Sequence, residues 1–210
     1  MTYKVLDVGS WSRKEHFAFF SKFHEPFFGI TVNVDVTAAF SYCKTNGFRF
    51  FDYYLHKTLI AANSIENFRY RIESEQVVVF DRVDASPTIM RDDETFGFGF
   101  VEFNPDYNVF SQALTLEMQR VKSTPGLFTR NFPQNLLHIS ALPWLDFTAI
   151  SHARQFGNGD SCPKISFGRL SIGPDETLVL PMSVHVHHAL MDGLQVSRFV
   201  ERFREEMSNC

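Results

Sequence analysis

The chain has 210 residues, a length typical of one domain, and a net charge of −4 with acidic and basic side chains interspersed. It lacks the clustered basic residues of nucleic-acid-binding proteins, and no apolar run reaches the length of a membrane span. Three cysteines, at positions 43, 162 and 210, have neither metal-ligand spacing nor an evident disulfide pattern. Because no apolar signal segment opens the chain, we expect one cytoplasmic domain covering residues 1–210.

Hydrophobic periodicity predicts helices and strands in mixed order. The predicted strands cover residues 3–8, 30–36, 68–72, 76–80, 87–90, 96–103, 137–142, 164–170 and 177–184; the predicted helices follow Ser12 and cover residues 37–46, 52–65, 106–122 and 194–207. Strands and helices do not alternate strictly, which favours an α+β fold with helices packed on a mixed β-sheet. The 24 phenylalanines indicate a thick core, a subunit interface or an aromatic pocket.

The first predicted helix begins with unusual charges. Ser12 and Glu15 have the spacing of a capping box, in which the two side chains satisfy the first backbone N–H groups of a helix. Arg13 lies in the first turn, where a cation opposes the helix dipole. It is therefore either a solvated charge or the partner of a carboxylate elsewhere in the chain.

Three histidines and one aspartate lie within eight residues between the last strand and the last helix. Alternation along a strand places His185 and His187 on one face and His188 at the end of the apolar row on the other. His188 is then either a core histidine or a partly desolvated imidazole that stays neutral near pH 7 and can act as a general base. Asp192 is placed to cap the last helix.

Four segments resemble the signature motifs of the chloramphenicol acetyltransferase family, and their order and spacing match over essentially the whole chain. They are Trp11-Ser-Arg-Lys-Glu-His-Phe17, Ile139-Ser-Ala-Leu-Pro-Trp144, Pro163-Lys-Ile-Ser166 and His188-Ala-Leu-Met-Asp-Gly193, the last preceded by a second histidine. The resemblance implies a two-layer sandwich of helices on a mixed sheet. It also implies direct acetyl transfer from acetyl-CoA to the hydroxyl of a small molecule, without an acyl-enzyme.

The resemblance assigns catalytic roles to four residues. His188 is the implied general base, which takes the acceptor proton and returns it to the CoA sulfur. Ser140 is the implied donor to the tetrahedral intermediate, although on its own it would be an ordinary strand hydroxyl. Arg13 and Asp192 form an implied ion pair that fixes the backbone around His188, which is compatible with Asp192 as a helix cap.

The resemblance implies acetyl-CoA as the co-substrate and no metal ion. Ser166 occupies a position where the family often has threonine, whose hydroxyl holds an ordered water at the site. Trp144 aligns with a tryptophan that lines the cofactor channel. Arg49 and Arg169 align with basic residues that face the 3′-phosphate region of CoA, but both are equally compatible with solvated surface charges.

The acceptor side of the implied site departs from the family pattern. Phe19 and Phe20 align with a Phe-Tyr pair in the drug pocket, so a hydroxyl is lost, and Phe96 is a further candidate for acceptor binding. Leu194 and Gln195 replace a Phe-His pair. These changes leave the chemistry intact but leave open whether the acceptor is chloramphenicol or a similar small alcohol.

The resemblance also implies a homotrimer with active sites at the subunit interfaces, acting in antibiotic resistance, with no nucleic-acid or membrane partner. A metal-dependent hydrolase is one alternative, because His185 and His187 on one strand face are a plausible ligand pair. A catalytically silent CoA-binding homologue is another. The related acyltransferase core of 2-oxo-acid dehydrogenase complexes is disfavoured because no lipoyl or subunit-binding segment precedes residue 1.

Overall fold

The computed structural model describes residues 2–153 and 160–209, which form a mixed set of strands and helices. In chain order these are β1 Tyr3–Val5, α1 Lys14–Phe20, β2 Phe27–Asp35, α2 Thr37–Asn46, α3 Phe50–Asn63, β3 Tyr70–Glu73, β4 Gln76–Phe80, β5 Asp84–Met90, β6 Phe96–Phe98, α4 Tyr107–Ser123, β7 Leu136–Ala141, β8 Lys164–Phe167, β9 Ser171–Ile172, β10 Leu178–His187 and α5 Gly193–Ser208. In this described part of the chain, no helix has the length and apolar character needed to cross a lipid bilayer.

The main sheet is mixed and has the strand order β2–β10–β8–β7–β5–β6, with β9 pairing on β10. β7 runs parallel to β5 and β8, while the other pairs are antiparallel. A separate small sheet has the order β1–β4–β3. Since helices pack on this mixed sheet, the predicted α+β class is confirmed.

The hydrophobic core lies between one face of the main sheet and the helices. Every second residue of β10, from Leu180 to Val186, is fully or almost fully buried and belongs to one core cluster with residues of α2, α3 and α5. The contribution of α5 comes from Val196, Phe199, Val200, Phe203 and Met207. Their spacing is that of one helix face, so the predicted apolar stripe is present and holds α5 against the sheet.

The opposite face of β10 is polar and is buried as well. Ser183, His185 and His187 alternate with the core residues, and all three are buried. His185 lies opposite Gly29 on β2. A Cβ at position 29 would lie 2.2–2.6 Å from atoms of the imidazole ring, so this position must be glycine for the ring to lie there. β10 therefore carries two buried rows of opposite character.

Several local predictions are wrong. The strand predicted to begin at residue 87 begins at Asp84, and the strand predicted over residues 96–103 ends at Phe98. The capping box at Ser12 does not form: α1 begins at Lys14, Arg13 is its N-cap residue, and no side chain caps the helix. The physical reason is that Arg13 is instead directed at Asp192, which sets the position of the first turn. β2 begins at Phe27 rather than at residue 30, because its pairing with β10 continues to the end of that strand.

Candidate active site

His188 is the first residue after β10, where the chain turns towards α5. Its backbone N–H donates to the carbonyl of Pro26 at 2.8 Å. Its half-buried ring stacks on Phe20, with centroids 3.9 Å apart and an angle of 14° between the planes, and lies 4.6 Å from the ring of Phe28. Nδ1 is buried and has no hydrogen-bond partner among residues 2–153 and 160–209. The imidazole is thus held by aromatic packing rather than by polar contacts to Nδ1.

His187 has a different environment. Its Nδ1 accepts a hydrogen bond from the N–H of Ala189 at 3.2 Å, which places the ring proton of the neutral form on Nε2. Burial lowers the pKa of His187 to about 4, so the ring is neutral at pH 7. These contacts give His187 a structural position in the turn.

Arg13 joins the start of α1 to the residues around His188. Its Nη1 lies 2.6 Å from Oδ2 of Asp192, and its Nη2 donates to the carbonyl oxygen of His188 at 3.2 Å. The Arg13 side chain is 12% exposed and that of Asp192 is 35% exposed, so the pair is partly shielded from water. The guanidinium therefore ties the helix cap and the backbone of His188 together.

Asp192 also caps α5, so both of its expected roles are present in one geometry. Its Oδ1 accepts from the N–H of Leu194 at 3.0 Å, and the side chain of Gln195 accepts from the Asp192 N–H at 3.0 Å. Burial raises the pKa of Asp192, but the hydrogen bonds from Arg13 and Leu194 outweigh it and hold the pKa below its usual value. Gln195 thus completes a capping box that fixes the turn after His188.

Three serines on adjacent strands form a transverse row across the polar face. Ser140 on β7 is opposite Ser166 on β8, and Ser166 is opposite Ser183 on β10. Residues directly opposite each other in a sheet share a face, so the three hydroxyls lie on the same side. Ser166 and Ser183 are fully buried, whereas Ser140 is half-buried. The row brings two expected site residues, Ser140 and Ser166, next to each other.

The structure does not bring His188 to this row. In the register of β10, His188 lies five residues beyond Ser183, or about 16 Å along the strand at a rise of ~3.3 Å per residue. Ser140 lies two strands away from β10, a further ~10 Å across the sheet. Within one chain, therefore, the expected base and the expected oxyanion donor cannot act on the same atom.

Three of the four residues expected to bind CoA, namely Trp144, Arg169 and Arg49, are at the surface, whereas the fourth, Ser166, is fully buried. The side chain of Trp144 is 61% exposed, in the loop after β7. Arg169 is exposed, and its backbone N–H donates to Leu145 at 2.7 Å. Arg49 is half-exposed, but its Nε and Nη2 lie 3.0 and 2.7 Å from the buried carboxylate of Asp52. Part of the charge of Arg49 is therefore already balanced within the protein.

The expected acceptor residues fall into two aromatic groups. Phe19 and Phe20 pack together with Phe23, with ring centroids 5.0–5.3 Å apart, and Phe20 is the residue that stacks on His188. Phe96 lies on β6 and packs on the ring of Phe98 at 5.6 Å. Both groups include rings that are largely exposed, so each leaves an aromatic surface open.

Two residues near the site were missed from the sequence. Phe28 touches the His188 ring because β2 pairs with the end of β10, a register that the sequence does not specify. His152 lies in the loop after β7, and its Nε2 is 3.5 Å from Oγ of Ser166. No periodic signal marks that loop, so nothing in the sequence singled out His152.

The metal-ligand alternative gains no support from this geometry. Nδ1 of His187 is used by a backbone N–H, and Nδ1 of His185 lies 3.3 Å from Oγ of Ser183. Across the part of the chain that the structure describes, no three His, Cys, Asp or Glu side chains are grouped so that they could hold a metal ion.

Comparison with known proteins indicates the class of enzyme to which this site belongs. A family model described as chloramphenicol acetyltransferase matches residues 1–204. A structure of a chloramphenicol acetyltransferase is similar with a TM-score of 0.87 and 29% identity, covering 98% of this chain and 100% of that one. A probable dihydrolipoamide acetyltransferase from Listeria monocytogenes has a TM-score of 0.68 at 10% identity, covering 93% and 89% of the two chains, and shows a shared fold only. The protein is thus an acyltransferase.

The family follows from the sequence match. Chloramphenicol acetyltransferase 3 from Escherichia coli is 31% identical over 207 residues, which cover 98% of this chain and 97% of the relative. The chain belongs to the chloramphenicol acetyltransferase family.

Proposed function

We propose that the protein is an acetyl-CoA-dependent O-acetyltransferase that moves an acetyl group to a hydroxyl of chloramphenicol or a similar small alcohol. The observation that carries this proposal is the position of His188. The residue lies at a strand end, its ring is stacked on Phe20, and its carbonyl and the following turn are fixed by Arg13 and Asp192. The His188 ring is therefore held in place by packing, while Nδ1 makes no hydrogen bond to the described residues. The reaction class is inferred from membership of the family.

In the proposed mechanism, His188 moves one proton twice. Because Nδ1 is enclosed by protein, we assign the transfer to Nε2. Nε2 takes the proton of the acceptor hydroxyl as its oxygen attacks the thioester carbon. The tetrahedral intermediate then collapses, the bond between carbon and sulfur breaks, and the protonated imidazole returns the proton to the departing thiolate. The parallel stacking of His188 on the ring of Phe20 favours the transient imidazolium, since a cation is attracted to an aromatic face.

The oxyanion of the intermediate is proposed to be stabilised by Ser140, with Ser166 holding a water beside it. The two hydroxyls are adjacent on paired strands and lie on a rigid sheet, which is what a preorganised donor requires. Their separation from His188 within one chain supports an active site shared between two copies, with His188 from one and Ser140 from the next. An acetyl group held between the copies would then meet both residues.

We further propose that CoA binds along the loops that carry Trp144 and Arg169, with Arg49 also directed at the 3′-phosphate. Exposed guanidinium groups are suited to phosphate, and an exposed indole is suited to a flat base or a pantetheine chain. The acceptor would contact Phe19, Phe20 and Phe96, where aromatic surface is open. A cytoplasmic location and a role in antibiotic resistance remain predictions.

The proposed reaction is tested by following thiol release from acetyl-CoA. With purified protein, we expect release that depends on an added alcohol, with chloramphenicol as one member of a panel of hydroxyl acceptors. The mass of the product should increase by one acetyl group. CoA binding without release across the whole panel would contradict the proposal and favour a silent CoA-binding homologue. Activity that disappears with chelators would favour the metal-dependent alternative instead.

We expect a homotrimer in solution. The separation of His188 and Ser140 in one chain requires a second copy for catalysis, and the exposed Phe19 and Phe23 beside the His188 site are suited to burial at an interface. The number of three copies is what the family resemblance implies. Light scattering during size-exclusion chromatography should give three times the mass of the chain. A fully active monomer at all concentrations would contradict the shared site.

A further inference from the structure

The polar face of the main sheet has a further imidazole beside it, that of His152, which the proposed mechanism does not use. The row of serines is covered at Ser166 by His152, a half-buried residue of the loop that connects β7 to β8. Its Nε2 lies 3.5 Å from Oγ of Ser166. An imidazole is thus placed directly over one of the two hydroxyls assigned to the tetrahedral intermediate.

The His152 ring rests on rigid neighbours. It meets the ring of His185 edge to face, with centroids 4.7 Å apart and an angle of 87° between the planes. His185 is itself fixed on the central strand, because its Nδ1 lies 3.3 Å from Oγ of Ser183 and its ring fills the space left by Gly29. The missing side chain at Gly29 leaves room for the ring of His185, and the ring of His152 packs against that ring close to Ser166.

We propose that His152 is a positioning residue of the acetyl-transfer site, which acts by donating its Nε2–H to Oγ of Ser166. The inference rests on the function proposed above, since it gives a role to a residue beside the same hydroxyls. A serine hydroxyl has one proton and can rotate freely. Once Oγ accepts from His152, the Ser166 proton points away from the imidazole and towards the tetrahedral intermediate, directly or through a water.

The distance of 3.5 Å is at the long end of a hydrogen bond, which is expected before substrates are bound. Catalytic hydrogen bonds in unliganded sites are often long and shorten in the reacting complex. His152 moves no proton to or from the substrate in this proposal. Its contribution is to the orientation of Ser166, so it should affect turnover more than the binding of either substrate.

The test uses the whole protein and four variants: His152→Leu, His152→Gln, Ser166→Ala, and His152→Leu combined with Ser166→Ala. One neutral hydrogen bond corresponds to roughly a 3- to 10-fold effect, so His152→Leu should lower kcat by about that factor and leave KM for acetyl-CoA and the acceptor nearly unchanged. His152→Gln can still donate from its amide and should keep turnover within about two-fold of the wild type. In the Ser166→Ala background, His152→Leu should cause no further loss.

Three results would overturn the inference: unchanged kcat in His152→Leu, an equal loss in His152→Gln, or a full additional loss in the double variant. Melting curves of each variant separate these results from misfolding. If the wild type is active, His188→Ala is inactive and His152→Leu turns over normally, then only the role proposed for His152 is wrong. If the wild type acetylates no alcohol at all, the proposed function fails, and the role of His152 fails with it.

Discussion

Replacing His188 with alanine is expected to reduce turnover by at least about 10²- to 10⁴-fold, the range typical of general-base catalysis. The loss can be larger because the same imidazole also returns the proton to the leaving thiolate. The fold and the binding of CoA should change little, since the His188 side chain contacts mainly the Phe20 and Phe28 rings at the surface of the strand end. Steady-state thiol release, with CoA binding measured separately, checks both expectations.

His187→Ala is the matched control for this variant. The two histidines are adjacent, but His187 is buried on the polar side and accepts a backbone N–H from the turn, so its removal should lower stability more than chemistry. We expect a lower melting temperature and a turnover that falls far less than in His188→Ala. A dead His187→Ala variant beside a normal His188→Ala variant would refute both the strand-face assignment and the choice of base.

Arg13→Ala is expected to lower stability and activity together. The variant leaves the partly shielded Asp192 carboxylate without its 2.6 Å partner and leaves the carbonyl of His188 without a donor. Because Asp192 is about one-third exposed, solvent reduces the cost, and we expect about 1–3 kcal/mol in the free energy of unfolding. Thermal or urea denaturation measures the loss of stability, and thiol release measures the loss of activity.

Arg13→Lys is the conservative comparison, since it keeps the charge but loses the two-pronged geometry of the guanidinium. A lysine ammonium can reach Asp192 or the His188 carbonyl, but it cannot hold both as a planar group does. It should therefore recover part of the stability and less of the turnover. Unchanged melting and unchanged turnover in Arg13→Ala would show that the ion pair has neither role.

The sequence predicted the elements around His188 well because two periodicities meet there. The alternation of β10 and the apolar stripe of α5 are both long, and both are present. The two functions of Asp192 were also predicted, since the cap is a local signal and the pairing with Arg13 is carried by the family resemblance. The fold class could be stated for the same reason: the strands and helices are regular over most of the chain.

Other parts of the site depend on contacts that have no local signal. The contact between the rings of Phe28 and His188 requires the register between β2 and β10, which tertiary packing sets. The position of His152 beside Ser166 depends on the segment directly after β7, which shows no periodicity in the sequence. The failed capping box at Ser12 is a similar case, because a long-range ion pair of Arg13 outweighed a local preference.

The double burial of β10 restricts how this part of the chain can vary. Its side chains alternate between the helix core and the row of hydroxyl and imidazole groups, and neither side opens to solvent from Leu180 to His187. Inserting or deleting one residue would send methionine and valine into the polar row and imidazoles into the core, since side chains alternate with a period of two. A strand with one face in solvent can accept such a shift on that face. In β10 the side chains of both faces would lie in the wrong environment. Sequence change within this strand is therefore confined to substitution at fixed length.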